Sequence, residues 1–463
     1  MKFVKNITYM SFGNLFSLII AFISSFILIR TIGTSGYAII GIVFSLTSIV
    51  RRFDVSFYLS LVKTNKETLK KIAFEQSFNS MNLVILLSNV IILIIITPLA
   101  IFLSLYVYHE SYLVIFYLWA IFRLLFARSS KFFENALRAN KNEQYVQNAV
   151  ITAITFEFVL TLFLLFVLHF GVMSIFIASF FSQCIRYFIN LNRIKTIVNF
   201  KLFYSKNIIK KIFSQYAFPE YLSDIMTGIL FSGSLFIATI ILPMHELGIL
   251  TIFISIMRKL SDFFLPLWYH LMPVFSRLKK GIKSNTLLSD LIRLPQFFIT
   301  LVVIFLFTIG EHIYSLYFGI ALIGTYGLFL IIMAGFLIFN GVIAARSMLY
   351  SKNAYLYVLI KFMVIALHLA FFIPVGKNFG LIGICVLYTI VFITYAIGIL
   401  YKLKIKLSFF DFFMLIMPFI LLFGPLELSF NTNIIIFFLA SLMLLLISRK
   451  RLKAIVSNIM KID

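Results

Sequence analysis

Long runs of apolar residues recur along the whole chain, separated by short stretches that hold charge, Gly or Pro. A hydrocarbon layer roughly 30 Å thick needs about 20 apolar residues of helix to cross it. The runs therefore predict about fourteen helices, near 6–29, 37–61, 78–103, 112–137, 146–169, 172–193, 217–242, 247–273, 294–311, 323–347, 354–374, 381–401, 409–426 and 433–448. The first run follows Lys2 and Lys5 as a secretory leader would, but it is too long and has no small-residue cleavage site before Arg30. It is read as a membrane helix.

Every second connection between these runs is basic: Lys63, Lys66, Lys70 and Lys71; Arg138 and Lys141; Lys195 through Lys211; Arg277 to Lys283; Lys352; Lys402, Lys404 and Lys406. The intervening connections carry Glu110, Glu246, Glu311 and Glu427, with Lys377 and Arg30 as their cations. Lys and Arg collect in cytoplasmic loops, so the alternation predicts an even number of spans with both termini in the cytoplasm. A missed or invented helix would break the pattern downstream of it.

Composition excludes a water-soluble fold. Of 463 residues 62% are hydrophobic and 12% charged, with a mean hydropathy of +1.07, against about 45–50% and about 25% in soluble domains. In a soluble chain, 40 Lys+Arg against 16 Asp+Glu, a net +24, would point to nucleic acid. On alternate loops the same excess is topology, and no nucleic-acid partner is expected. Cys184 and Cys385 lie in apolar stretches, which predicts no disulfide.

A weak repeat runs through the chain at an offset of about 207 residues. Gly41 precedes Arg51-Arg52-Phe53-Asp54 as Gly248 precedes Arg258-Lys259-Leu260-Ser261-Asp262, and Arg138 with Lys141-Asn142 matches Arg346 with Lys352-Asn353. It predicts an all-α polytopic membrane protein of two homologous six-helix lobes in parallel orientation, at 1–200 and 201–406, followed by two extra helices and a basic tail at 407–463.

No phosphate loop, metalloprotease helix, nucleophile elbow or Cys-x-x-Cys occurs, so no enzyme activity, metal or resident cofactor is expected. What remains are charges inside spans, which cost about 2.5–3.5 kcal/mol each on insertion scales and are functional candidates by default. Arg258 lies ten residues past Gly248, with Asp262 one turn on along the same face and Lys259 adjacent; an intrahelical ion pair is the alternative reading. Arg51 and Arg52, with Asp54 behind them, occupy the matching place in the first lobe, where snorkelling to the interface is the alternative. Lys361 and His368 share a face, Lys361 ranking above the histidine, and Arg123 sits in an apolar run, whereas Arg128 and Lys131 are read as cytoplasmic rim. Glu220, Asp224, Thr227 and Gly228 fall on one face after Pro219. Asp224 either binds a coupling ion or pairs with a cation, and Glu157 is equally open. The deeper set, Arg51, Arg52, Arg123, Arg258, Lys259 and Lys361 against Asp54, Glu157, Asp224 and Asp262, is net cationic and suits an anionic solute or headgroup. The aromatic load reads mainly as lipid-facing and packing residues, with Tyr106, Tyr108, Tyr314 and Tyr317 at helix ends where an interfacial belt belongs.

Asn14 in the first helix, the stretch Arg30-Thr31-Ile32-Gly33-Thr34-Ser35-Gly36-Tyr37, the entry around Phe218-Pro219 and the span from Leu247-Gly248-Ile249 to Met272-Pro273-Val274-Phe275 together resemble the bacterial polysaccharide flippases of the multidrug/oligosaccharidyl-lipid/polysaccharide (MOP) exporter superfamily. The resemblance covers the whole chain. It implies export of O-antigen, capsule or exopolysaccharide repeat units on an undecaprenyl diphosphate carrier across the bacterial plasma membrane, by alternating access of two lobes around a cationic cavity. Arg51, Arg52 and Arg258 would then contact diphosphate or acidic sugar. Relatives often end the second helix with an Asp-Phe-Gly-like turn; this chain has Phe53-Asp54-Val55 instead. Proton or sodium coupling through Asp54, Asp224 or Asp262, and partnership with the polysaccharide polymerase and export machinery, go with that reading. A multidrug antiporter of the same superfamily is the first alternative, and a membrane glycan polymerase or ligase, which needs a sizeable outer loop, the second.

Overall fold

The computed structural model describes residues 2–52, 71–140, 142–201, 203–212, 218–277, 282–403, 417–423 and 432–442. All regular structure among them is helical: α1 (Lys2–Arg52), α2 (Lys71–Phe102), α3 (Leu113–Ala139), α4 (Glu143–Phe166), α5 (Met173–Lys195), α6 (Lys206–Ile212), α7 (Phe218–Gly228), α8 (Ser234–Ile241), α9 (Met244–Arg277), α10 (Ile282–Thr308), α11 (Gly310–Phe318), α12 (Tyr326–Gly341), α13 (Ile343–Lys352), α14 (Ala354–Leu403) and α15 (Thr432–Leu442). Among the described residues eight helices are long and apolar enough to cross a membrane, or nine when Pro295–Thr308 and Gly310–Phe318, bent by 71°, form one span. The protein is an all-α, multi-pass membrane protein. Asp54, and most of the predicted helix at 409–426, lie outside the described residues.

Two rods are each a pair of helices joined by one residue. α1 leaves helical geometry at Gly33 (φ 68°, ψ −173°) and α14 at Gly380 (φ 57°, ψ −142°). Both conformations are open to glycine and costly for any residue with a Cβ. The sequence predicts loops of several residues there, but the polar residues at 30–36 and Lys377 stay helical, so a single glycine makes each break. A π turn at Ile229–Gly233 lets α7 and α8 run as the one predicted span, and a second, Leu103–Val107, extends α2.

The chain forms two compact units. One holds Tyr9–Ser25 and Thr31–Ile240; the other holds Ile241–Asp463 with Met1–Thr8 and Phe26–Arg30. In the N-terminal unit Phe74, Phe78, Met81, Phe132, Phe133, Leu137, Val146 and Ile194 make a core where α2, α3, α4 and α5 meet. The Asn79 amide donates to the Asn199 carbonyl at 3.0 Å and its oxygen accepts from the Lys201 N–H at 3.3 Å, fastening the connection after α5 to α2.

In the C-terminal unit α12 and α14 approach closely. A Cβ on Gly335 would lie 2.6 Å from the Thr389 Cα, and the Thr389 hydroxyl donates to the Ile331 carbonyl at 2.7 Å. Along α14 the buried positions Lys361, Val364, Ile365, His368 and Phe372 follow the helical period, while Leu359, Phe362, Met363, Leu367 and Phe371 are exposed apolar residues suited to lipid. The Glu246 carboxylate of α9 accepts the Leu381 N–H at 2.9 Å, capping the half of α14 that starts after Gly380. Tyr314 departs from the predicted interfacial belt. It is buried, stacks near Tyr326 and Phe318, and shares a 2.6 Å hydrogen bond with Thr325, whereas Tyr106 is exposed as expected.

Candidate functional site

In the N-terminal unit, Arg123, Arg128 and Glu134 of α3 have different surroundings. Arg123 places its guanidinium carbon 4.9 Å from the Phe44 ring centroid, with Glu157 of α4 and Arg186 of α5 as the charged groups acting on it. Arg128, read from sequence as rim, is instead buried at 2% exposure and donates to the Ser88 hydroxyl at 3.0 Å. Its position on the packed face of α3 overrides its closeness to the helix end. Tyr221 of α7 lies within the field of Arg128.

Glu134, a turn and a half further along, is 2% exposed. Arg186 grips it with both arms, Nε to Oε1 and Nη2 to Oε2 at 2.7 Å, and Asn190 donates to Oε1 and to the Ser130 hydroxyl at 3.1 Å each. Sequence reasoning missed this pair. Glu134 and Arg186 are fifty-two positions apart, and the one signal available was a carboxylate and a cation in apolar runs of the same predicted lobe.

In the C-terminal unit Arg346 and Lys361 lie near one another's aromatic neighbours where α12, α13 and α14 meet. The Arg346 guanidinium lies 3.9 Å from the Phe339 ring centroid and 5.8 Å from that of Tyr395. Lys361, 4% exposed, holds its ammonium 5.7 Å from the Tyr357 centroid. Tyr357 is edge-on to Tyr350 at 5.3 Å and to Tyr395 at 6.2 Å. Both formal charges acting on the buried Tyr357 hydroxyl, Lys361 and Arg346, are positive. Guanidinium, ammonium and two phenols thus converge as hydrogen-bond donors in one aromatic box. The sequence placed Lys361 here; Arg346 stood out only as a repeat marker, because the break at Val342 that turns α13 has no periodic signature.

The other predicted residues lie on several different helices. Arg51 is exposed near the end of α1, and Arg52 lies in the same turn. On α9 Arg258 is half-buried and Lys259 exposed, with Asp262 a turn further on. The side chains of Arg52, Asp262 and Glu220 lie outside the described residues, and Asp224 is half-buried on α7. His368 is fully buried, 4.8 Å from the Tyr388 ring and 5.2 Å from Phe372, a packing position. The repeat markers Asn142 and Asn353 precede α4 and α14, and the Asn353 side chain accepts the Leu356 N–H at 3.0 Å. Among the described residues no three His, Cys, Asp or Glu groups are placed to hold a metal ion.

No family model matches the sequence, and no curated protein does. Solved structures match in fold. An inward-facing multidrug resistance MATE family transporter of the MOP superfamily aligns at TM-score 0.68 and 15% identity, over 85% of this chain and 94% of that one. The lipid II flippase MurJ, in an inward closed conformation, aligns at TM-score 0.63 and 17% identity, over 95% of this chain and 99% of its own. A MOP superfamily transporter from Pyrococcus furiosus, described by the reverse polarity of its binding pocket, aligns at 0.63 and 16%, over 87% and 95%. The chain has the fold of MOP superfamily transporters.

Proposed function

We propose that this protein is a flippase for undecaprenyl-diphosphate-linked oligosaccharides in surface polysaccharide synthesis, working by alternating access of lobes 1–200 and 201–406 in a bacterial plasma membrane. What supports the reading is the Arg346–Lys361 box: two cations and two phenolic donors held among apolar spans, a donor set suited to phosphate oxygens. Moving a diphosphate through a low-dielectric layer forfeits its hydration, and fixed donors replace part of that loss while the lipid tail stays in the bilayer. Arg51, Arg52, Arg123, Arg258 and Lys259 extend the cationic set, and Asp54, Asp224 and Asp262 are the proposed carriers of a coupling proton or sodium ion. The polysaccharide polymerase is the expected partner.

The test is reconstitution. Liposomes holding the protein and an undecaprenyl-diphosphate-linked glycan are expected to expose that glycan to an external lectin, and Arg346→Gln with Lys361→Met to slow exposure about tenfold or more. A multidrug exporter shares the fold. No glycan exposure, with efflux of an organic cation that survives the double substitution, would establish that second reading instead.

A further inference from the structure

The span from Pro295 to Phe318 bends by 71° between Thr308 and Gly310. Sharp bends come from proline, Gly/Ser pairs, π turns or a side chain that enters the i→i−4 ladder. Pro295 is about four turns away from this one. The ladder runs to the Ile309 N–H, which donates to the Phe305 carbonyl at 3.0 Å, and resumes where the Ile313 N–H donates to the Ile309 carbonyl at 3.2 Å. The first carbonyl between these rungs is that of Leu306, which a continuous helix would pair with the Gly310 N–H. It accepts the Tyr326 hydroxyl instead, at 2.5 Å.

Gly310 makes the room for that hydroxyl. Its φ is not in the left-handed region, so backbone freedom does not call for glycine here. A Cβ would collide with the Tyr326 hydroxyl oxygen and stand 3.3 Å from Cζ. Tyr326 is 2% exposed and opens α12. Its ring centroid lies 5.0 Å from that of Tyr314, one turn past Gly310. The hydroxyl therefore holds the end of α10 while the ring braces the start of α11.

We propose that Tyr326 is a removable wedge: seated on the Leu306 carbonyl it keeps the span bent, and drawn out it lets that carbonyl take the Gly310 N–H and the span straighten. The Leu306 carbonyl keeps a donor in both states, which is what a two-state element inside an apolar bundle needs. The wedge is carried by α12, which is held to α14 at Gly335 and Thr389, so the bend follows the movement of that helix pair. The device is independent of what the protein carries.

Nitroxide labels on Phe298→Cys and Leu316→Cys, both exposed positions, report the bend by pulsed dipolar spectroscopy in the full-length protein with Cys184 and Cys385 replaced by Ser. Their backbone separation is about 22 Å at a 71° bend and about 27 Å in a continuous helix. With Tyr326 and Gly310 intact the shorter distance is expected. Tyr326→Phe, which keeps the ring and removes the donor, should shift it outward by about 5 Å. Gly310→Ala, whose methyl expels the hydroxyl, should shift it likewise, so either variant decides the matter where the other fails to fold. The longer distance with both residues intact, or the shorter one kept in a folded variant, overturns the wedge.

Discussion

At the scale of single residues, a charge inside an apolar bundle is tolerable when its lone pairs or protons are met, and Glu134 shows how completely that can be done. Its carboxylate takes both arms of Arg186 and the Asn190 amide. Replacing Arg186 with Met would strand a buried anion, a change that costs about 3–5 kcal/mol for a fully enclosed pair. Arg186 keeps 24% of its side-chain exposure, so the loss should fall at about 3 kcal/mol or below. Adding Glu134→Gln to Arg186→Met should restore most of it, as read by thermal unfolding in detergent; a double variant no more stable than the single one would show that the pair is not the cause. The sequence placed Arg123 and Lys361 inside spans but misread Arg128 and overlooked Glu134. The reason is that α3 turns polar from Arg128 onward, through Ser129, Ser130, Lys131, Glu134 and Asn135, so by composition it reads as a rim, whereas packing against neighbouring helices buries most of it. Face, more than depth, decides whether an arginine four to five residues from Arg123 reaches the rim or the core.

At the scale of elements, apolar runs located helices among the described residues, with most ends shifted by a few residues and the start of α10 by twelve, at Ile282 against a predicted 294. What the runs could not carry were breaks made by one residue. Arg30 to Gly36 is polar and glycine-rich enough to read as a loop, yet only Gly33 leaves the helix. The bend between α10 and α11 and the π turn after Gly228 likewise depend on backbone geometry that no side-chain pattern signals. Alanine at Gly33 or Gly380 must adopt a backbone state costing about 1–3 kcal/mol. At Gly33 nothing lies within 4 Å of the added methyl, whereas at Gly380 it would stand 3.1 Å from the Glu246 carboxylate that caps the following helix. Gly380→Ala should therefore lower the unfolding temperature more than Gly33→Ala. Equal effects would mean that backbone strain alone matters at both sites.

At the scale of the whole molecule, fold class was the most legible property, because length and hydropathy together leave a bundle of membrane helices as the one economical solution. The alternation of basic connections adds a sidedness that can be checked chemically. With Cys184 and Cys385 replaced, Ser111→Cys in an acidic connection should react with a membrane-impermeant maleimide on intact cells, and Ser205→Cys in the basic connection after α5 only once cells are opened. The reversed result would invert the topology. The two single-glycine joints have a mechanical corollary. A flexible loop between helices absorbs motion; one residue offers two torsions and no spare length. Turning either arm of α1 or α14 must swing its other arm or force the glycine into a new backbone well, and at the α14 joint such a turn also strains the hydrogen bond from the Leu381 N–H to the Glu246 carboxylate.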